Sequence, residues 1–178
     1  INWCVKNGFK EPYLVMSQSF QRPSNGHFIT PKSIGFDAAV EFPPHAGTAA
    51  NVEKALRVEN LNWFGKTKSA NVFSYESAVD VWSGPNAYDF KLHKCVFPGW
   101  DNTPRRINGG GSVFYGSRPS IYMEWLKKTL IVSDADDLVF INAWNEWAEG
   151  AFLEPDMVYG YAYLETTFAA ISDDSRRC

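Results

Sequence analysis

The run Asn145-Glu146-Trp147-Ala148-Glu149-Gly150, followed by Glu154-Pro155-Asp156, sets two carboxylates three residues apart. Trp144 and Trp147 flank them, and Gly150 releases the chain. An apolar, aromatic setting penalises the charged form of a carboxyl group and suits it to donate a proton near neutral pH. A carboxylate in a wetter position stays ionised and can act as base or nucleophile. Glycoside chemistry uses such a pair: one acid protonates the leaving oxygen and the other assists at the sugar ring. Indole faces also stack on the apolar faces of pyranose rings. The same residues read equally well as a surface loop with solvated glutamates and core tryptophans, and composition does not separate the two.

Other polar residues follow apolar runs. Trp100, Asp101 and Asn102, with Arg105 and Arg106, come after Cys95-Val96-Phe97. Asp101 and Asn102 are able to hydrogen-bond sugar hydroxyls, and Arg105 to orient Asp101 or bind an anionic group; an Asx turn with a structural ion pair is the competing reading. Glu41 and His45 lie on either side of Pro43-Pro44. The candidate substrate contacts are therefore Trp100, Asp101, Asn102, Trp144, Asn145, Trp147, Glu154, Glu41 and His45. Gln18 and Ser19 are weaker.

These residues need elements to hold them. Four apolar runs have strand character: Tyr13 to Met16, Phe36 to Phe42, Cys95 to Phe97 and Leu138 to Trp144. They are continuous rather than alternating, as in parallel strands covered on both faces. Between and after them come helical patterns. Tyr75, Val79 and Trp82 recur with Ser74 placed to cap and Gly84-Pro85 to terminate. Ile121, Trp125, Leu126 and Leu130 form a stripe opened by Pro119 and closing near Lys127-Lys128, and Tyr161, Leu164, Phe168 and Ile171 form another. Ala50 to Leu61 gives a weaker helical pattern. The alternation predicts an α/β fold with a parallel sheet, either a small open sheet or half of an eight-stranded barrel. In both, functional groups belong at the C-terminal ends of the strands.

Composition narrows the functions. The 178 residues carry a formal net charge of -3, without the basic field that nucleic-acid binding needs. No apolar run reaches the ~20 residues of a membrane span. With 7 Trp, 8 Tyr and 13 Phe the chain has too many aromatics for a disordered tail. Cys4, Cys95 and Cys178 fit neither a disulfide framework nor a metal clip, and Cys95 reads as a buried thiol. His27, His45 and His93 lack metal-ligand spacing, so neither metal nor cofactor is expected. Asp134-Ala135-Asp136-Asp137 reads as a solvated turn, and Gly109-Gly110-Gly111-Ser112 as a mobile loop or lid rather than a phosphate cradle.

The stretch FINAWNEWAEGAFLEPDMVYGYAYLE (Phe140 to Glu165) resembles the WbsX-like family of bacterial surface-polysaccharide proteins. That family is related to the endo-α-mannosidases of glycoside hydrolase family 99, which share the pattern N-E-W-x-E-G-x-x-[IL]-E-P. GFDAAVEFPPH (Gly35 to His45) and FPGWDNTPRR (Phe97 to Arg106) resemble the same family, in the same order. The resemblance implies a (β/α)8 TIM barrel of which residues 1–178 are a single partial domain, the C-terminal half. It assigns Glu146 as the base that activates the substrate's own 2-hydroxyl, and Glu149 as the acid/base at the leaving group. It implies a carbohydrate substrate, with Ala148 standing where hydrolases often carry a larger or polar residue.

Three activities are open at this stage. The first is retaining, glycoside hydrolase-like cleavage of an α-linked polysaccharide. The second is glycosyl transfer in bacterial surface-polysaccharide (O-antigen or capsule) synthesis, and the third is an inactive or carbohydrate-binding fragment. A half-barrel lacking its N-terminal half is expected to self-associate. The sequence assigns no compartment.

Overall fold

The computed structural model describes residues 1–18, 29–44, 56–63, 66–106 and 110–173, and only the backbone of 56–63 and 66–68. In chain order the regular elements are α1 (Asn2–Lys6), β1 (Val15–Gln18), β2 (Ala38–Glu41), β3 (Leu56–Trp63) and β4 (Lys66–Ser74). After these come α2 (Tyr75–Trp82), β5 (Leu92–Val96), β6 (Gly111–Tyr115), α3 (Pro119–Val132) and β7 (Val139–Ile141). The short strands β8 (Asn145–Glu146) and β9 (Ala151–Phe152) and the helix α4 (Ala162–Ser172) close the fold.

The fold is mixed α/β, with parallel strands alternating with helices. Its main sheet has the order β1-β2-β5-β7, every neighbouring pair parallel. The four strands lie at the four apolar runs, each beside its predecessor in the sheet, with no reversal of direction. Successive right-handed crossovers in such a sheet deliver the helices to one face. All five residues of β5 are buried, as its central place requires.

Helix α2 begins where the sequence predicts: the Ser74 side chain accepts a hydrogen bond from Ser77 N at 3.1 Å. Helix α3 starts at Pro119 but runs past the two lysines to Val132. Burial of Thr129 and Leu130 holds that last turn, and Lys128 pairs with Glu124 one turn back, at 2.9 Å. The core between sheet and helices is aromatic. Phe97 sits with its ring edge-on to Trp125 at 4.9 Å and to Tyr75 at 5.5 Å, and Trp82 stacks on Trp125 at 6.1 Å. Each such ring contributes about 1.5–3 kcal/mol by leaving water.

Two expectations are corrected. Residues 56–61, expected at the end of a helix, belong to β3, which pairs antiparallel with β4; residues 50–55 lie outside the described residues. Leu56-Arg57-Val58-Glu59 alternates with period two, and a nine-residue partner strand supplies a ladder that outweighs a weak helical pattern. The glycine run is not a free loop where it is described. Gly110 N donates to Ser69 O, and Gly111-Ser112 open β6, which pairs in parallel with β4. A Cβ at Gly111 would stand 2.8 Å from Thr103 Cα, so glycine is what lets β6 seat there. The sheet β3-β4-β6 thus joins the connection between β2 and α2 to the connection between β5 and α3. Among the described residues no helix is long and apolar enough to cross a membrane.

Candidate active site

The carboxylates Glu146 and Glu149 lie on a short hairpin just past β7. Strands β8 and β9 are antiparallel, Asn145 opposite Phe152 and Glu146 opposite Ala151. Trp147–Glu149 form a 3-10 turn at the tip, and Gly150 closes it at φ 63°. Its shape follows from where the strand run ends. Leu153 N and Glu154 N both donate to Trp144 O, so the chain folds back on itself instead of extending β7 to Trp144. Ala151 and Phe152 project to opposite faces of β9, so Glu146, paired with Ala151, and Trp147, packed on Phe152, lie on opposite sides of the hairpin. Trp147 stacks on Phe152 with centroids 3.7 Å apart, and its Nε1 donates to Glu154 Oε2 at 2.6 Å.

The hairpin is locked to the segment after β5. Asp101 N donates to Glu149 O at 2.7 Å. A Cβ on Gly150 would meet Asp101 N at 3.1 Å, and one on Gly99 would meet Gly150 O at 3.0 Å, so both glycines permit the approach. Arg105 reaches across this junction. Its Nη1 is 3.1 Å from Glu149 Oε1 and 3.6 Å from Glu146 Oε1. The side chains of Glu149 and Glu146 are 23% and 40% exposed, so the pair is accessible from solvent.

Residues 1–167 match the family model described as Glycosyltransferase WbsX. The chain belongs to the WbsX family. It is 43% identical over 177 residues to the uncharacterized protein WxcX of Xanthomonas campestris pv. campestris strain B100, which is 96% of this chain and 24% of that protein. The corresponding protein of strain ATCC 33913 is 42% identical over 176 residues, with the same coverage. The chain therefore spans about a quarter of the length of these curated relatives. No solved structure matches it.

In this WbsX-family chain the other candidate residues have definite places. Trp100 is 9% exposed and packs in the core with its ring edge-on to Phe97. Asp101 Oδ1 accepts from Thr103 N and Thr103 Oγ1, at 2.9 and 2.6 Å, and Asn102 Oδ1 accepts from Ser112 N at 2.8 Å. Trp144 and Trp147 are about half exposed. Glu41 is buried at the end of β2 and accepts from Lys94 Nζ at 2.9 Å, while Gln18 lies beside it in register. Burial raises the Glu41 carboxyl above its ordinary range, against the opposing pull of Lys94. Burial, reinforced by Glu41, pushes the Cys95 thiol up to about 12, which leaves it protonated and inert near neutral pH. His45, like Ser19 and His27, lies outside the described residues.

One contact and one cavity are not legible in the sequence. The sequence leaves Arg105 open between orienting Asp101, binding an anionic group and a structural ion pair, because its meeting with the carboxylates is a contact between segments some forty residues apart. On the far side of the hairpin from the acid pair, a cavity of about 400 Å³ opens between Trp147, Phe152, Tyr163 and the Met157-Val158-Tyr159 turn. That turn is closed by a bridge from Asp156 to Gly160, and Asp156 Oδ1 accepts from Val158 N and Tyr159 N. The only sequence signal for it is Asp156 and Gly160 bracketing three bulky residues.

Proposed function

We propose that this chain carries the acid pair of a carbohydrate-active enzyme that cleaves an α-linked polysaccharide with retention, through Glu146 and Glu149. The observation that carries the reading is the pair itself: two solvent-accessible carboxylates on one hairpin beyond a parallel strand, held by one guanidinium. Glu146 takes the proton of the substrate's 2-hydroxyl, and O2 attacks the anomeric carbon. The glycosidic C–O bond breaks as Glu149 protonates the leaving oxygen, which gives a 1,2-anhydro sugar. Water then adds at the anomeric carbon, giving its proton to Glu149, while O2 recovers the proton held by Glu146. Each glutamate ends as it began, and no glycosyl-enzyme bond forms. Trp144 and Asn145, which flank the pair in the chain, are proposed as sugar contacts, as are Trp147 and Glu154 across the hairpin.

We infer further that the main sheet is half of a (β/α)8 barrel. Its unreversed strand order, and the absence of strand partners for the outer edges of β1 and β7 among the described residues, support this.

The family's printed description favours a second reading, in which the same pair serves transfer of a sugar from an activated donor to an acceptor hydroxyl. The D-x-D spacing of Asp134-Ala135-Asp136 precedes β7, at the end of the strand opposite the hairpin, and lends no support to a donor site at the pair.

The test is Glu149→Gln in the full-length protein, assayed on a panel of fluorogenic α-linked oligosaccharides and on nucleotide-sugar donors. Turnover of the oligosaccharides is expected to vanish with the unfolding midpoint unchanged. Near-normal cleavage by the variant would overturn the assignment, and turnover of a nucleotide sugar alone would favour the transferase.

A further inference from the structure

We propose that Arg105 is the positioning residue of the acid pair, a clamp that sets the separation and orientation of Glu146 and Glu149. The proposal rests on the reading of those two glutamates as the pair. One guanidinium nitrogen, Nη1, contacts a carboxylate oxygen of each. A guanidinium is planar, permanently charged and carries five N–H donors in a fixed fork, so a single side chain is able to hold two carboxyl groups in one geometry. Without it, no other side chain among the described residues bridges the two carboxyl groups, and their separation on the tight turn is no longer fixed.

A clamp needs a rigid mount, and the turn that carries Arg105 supplies it. Arg105 ends a three-residue 3-10 turn, Thr103–Arg105. Asp101 anchors the start of that turn through Thr103 N and Thr103 Oγ1. Asn102 fixes it to β6 by exchanging two hydrogen bonds with Ser112: Ser112 N to Asn102 Oδ1 and Asn102 N to Ser112 O. Asp101 N also holds Glu149 O at 2.7 Å, so one residue ties both the clamp and the clamped hairpin. Asp101 and Asn102 thus act through Arg105, by fixing where its backbone sits. The side chain of Arg105 is 53% exposed, and its remaining donors take no partner among the described residues. In a half-exposed side chain they have hydrogen bonds to offer a sugar hydroxyl as it meets the pair.

The experiment uses the full-length protein labelled with ¹³C at glutamate Cδ, as wild type, Arg105→Ala, Arg105→Lys and Glu149→Gln. In R105A the signals of Glu146 and Glu149 are expected to move while the other glutamates stay, and added guanidinium chloride returns them toward their wild-type positions. On the fluorogenic oligosaccharides R105A loses about 100-fold in kcat with KM little changed, the size expected of a misplaced catalytic group. Guanidinium restores part of that loss, which a merely structural arginine would not allow. Lysine, a point charge without the fork, restores less than guanidinium does in R105A. Glutamate signals unmoved in R105A, or turnover that survives R105A while E149Q is inactive, would overturn the clamp. Full activity in E149Q sinks the reading of the pair instead, and the glutamate signals then decide the clamp by themselves.

Discussion

His93 shows how a single buried residue can set a pH response. It is 1% exposed. Leu138 N donates to its Nδ1 at 3.2 Å, Asp137 Oδ1 lies 3.4 Å from the same nitrogen, and Nε2 is 3.1 Å from Tyr13 Oη. Burial lowers its proton affinity, Asp137 beside it opposes that, and Lys91 adds to the lowering. Lys91 also pairs with Asp137 at 2.6 Å and Asp136 at 3.3 Å, which ties the exposed acidic turn before β7 to the residue preceding β5. As pH falls through ~6.5 the unfolded histidine takes up a proton before the folded one does, so stability drops over that window. His93→Gln should flatten this slope. Urea midpoints measured from pH 7.5 to about 5.5 would show it, and an equally steep fall in the variant would count against the assignment. Asp137 works in a lower range: its carboxyl lies below the ordinary value because Lys91 and Asp134 N outweigh its desolvation, so its contribution is lost only in stronger acid.

At the scale of elements, β6 and the turn of Thr103 are fitted at glycine clearance. Gly111→Ala places a Cβ 2.8 Å from a backbone atom of Thr103, and relieving that overlap is expected to cost about 1–3 kcal/mol. The same shift carries Arg105 away from the carboxylates, so G111A should move the Glu146 and Glu149 carboxyl signals as R105A does. An unchanged urea midpoint would refute the packing argument. What the sequence disclosed and withheld at this scale has a physical explanation. The parallel strands β2 and β5 announce themselves through the runs Phe36 to Phe42 and Cys95 to Phe97, which end against Pro43-Pro44 and Pro98-Gly99. The start of β5, with His93-Lys94, is polar and gives no such signal. Ser74 marks α2 because a cap is a local interaction. The sheet β3-β4-β6 is concealed: Lys66 to Ser74 is mostly polar, and its strand character comes from partners distant in the chain. Glu146 and Glu149 stand out as a local motif, whereas nothing local says that the ring of Trp100 turns into the core or that Arg105 reaches a hairpin forty residues on.

For the molecule as a whole, the described surface carries many large apolar side chains, among them Ile131, Tyr161, Phe168 and Ile171 on or beside α3 and α4. The outer edges of β1 and β7 have no strand partner among the described residues, and with these surfaces they are expected to promote association of the chain on its own. Residues 1–178 expressed alone are expected to elute from gel filtration ahead of a 20.1 kDa standard, and Phe168→Glu with Ile171→Glu should shift the protein toward the monomer. A wild-type chain that elutes as a sharp monomer at all concentrations would contradict this. The glycine contacts between the segment after β5 and the acid hairpin have a consequence for protein engineering. Glu146 and Glu149 are carried by one strand's connection, but Asp101 and Arg105, from its neighbour's connection, hold them in place. A single strand–loop–helix unit grafted onto another scaffold would transplant the carboxylates without their calibration; the smallest exchangeable module runs from β5 through β9.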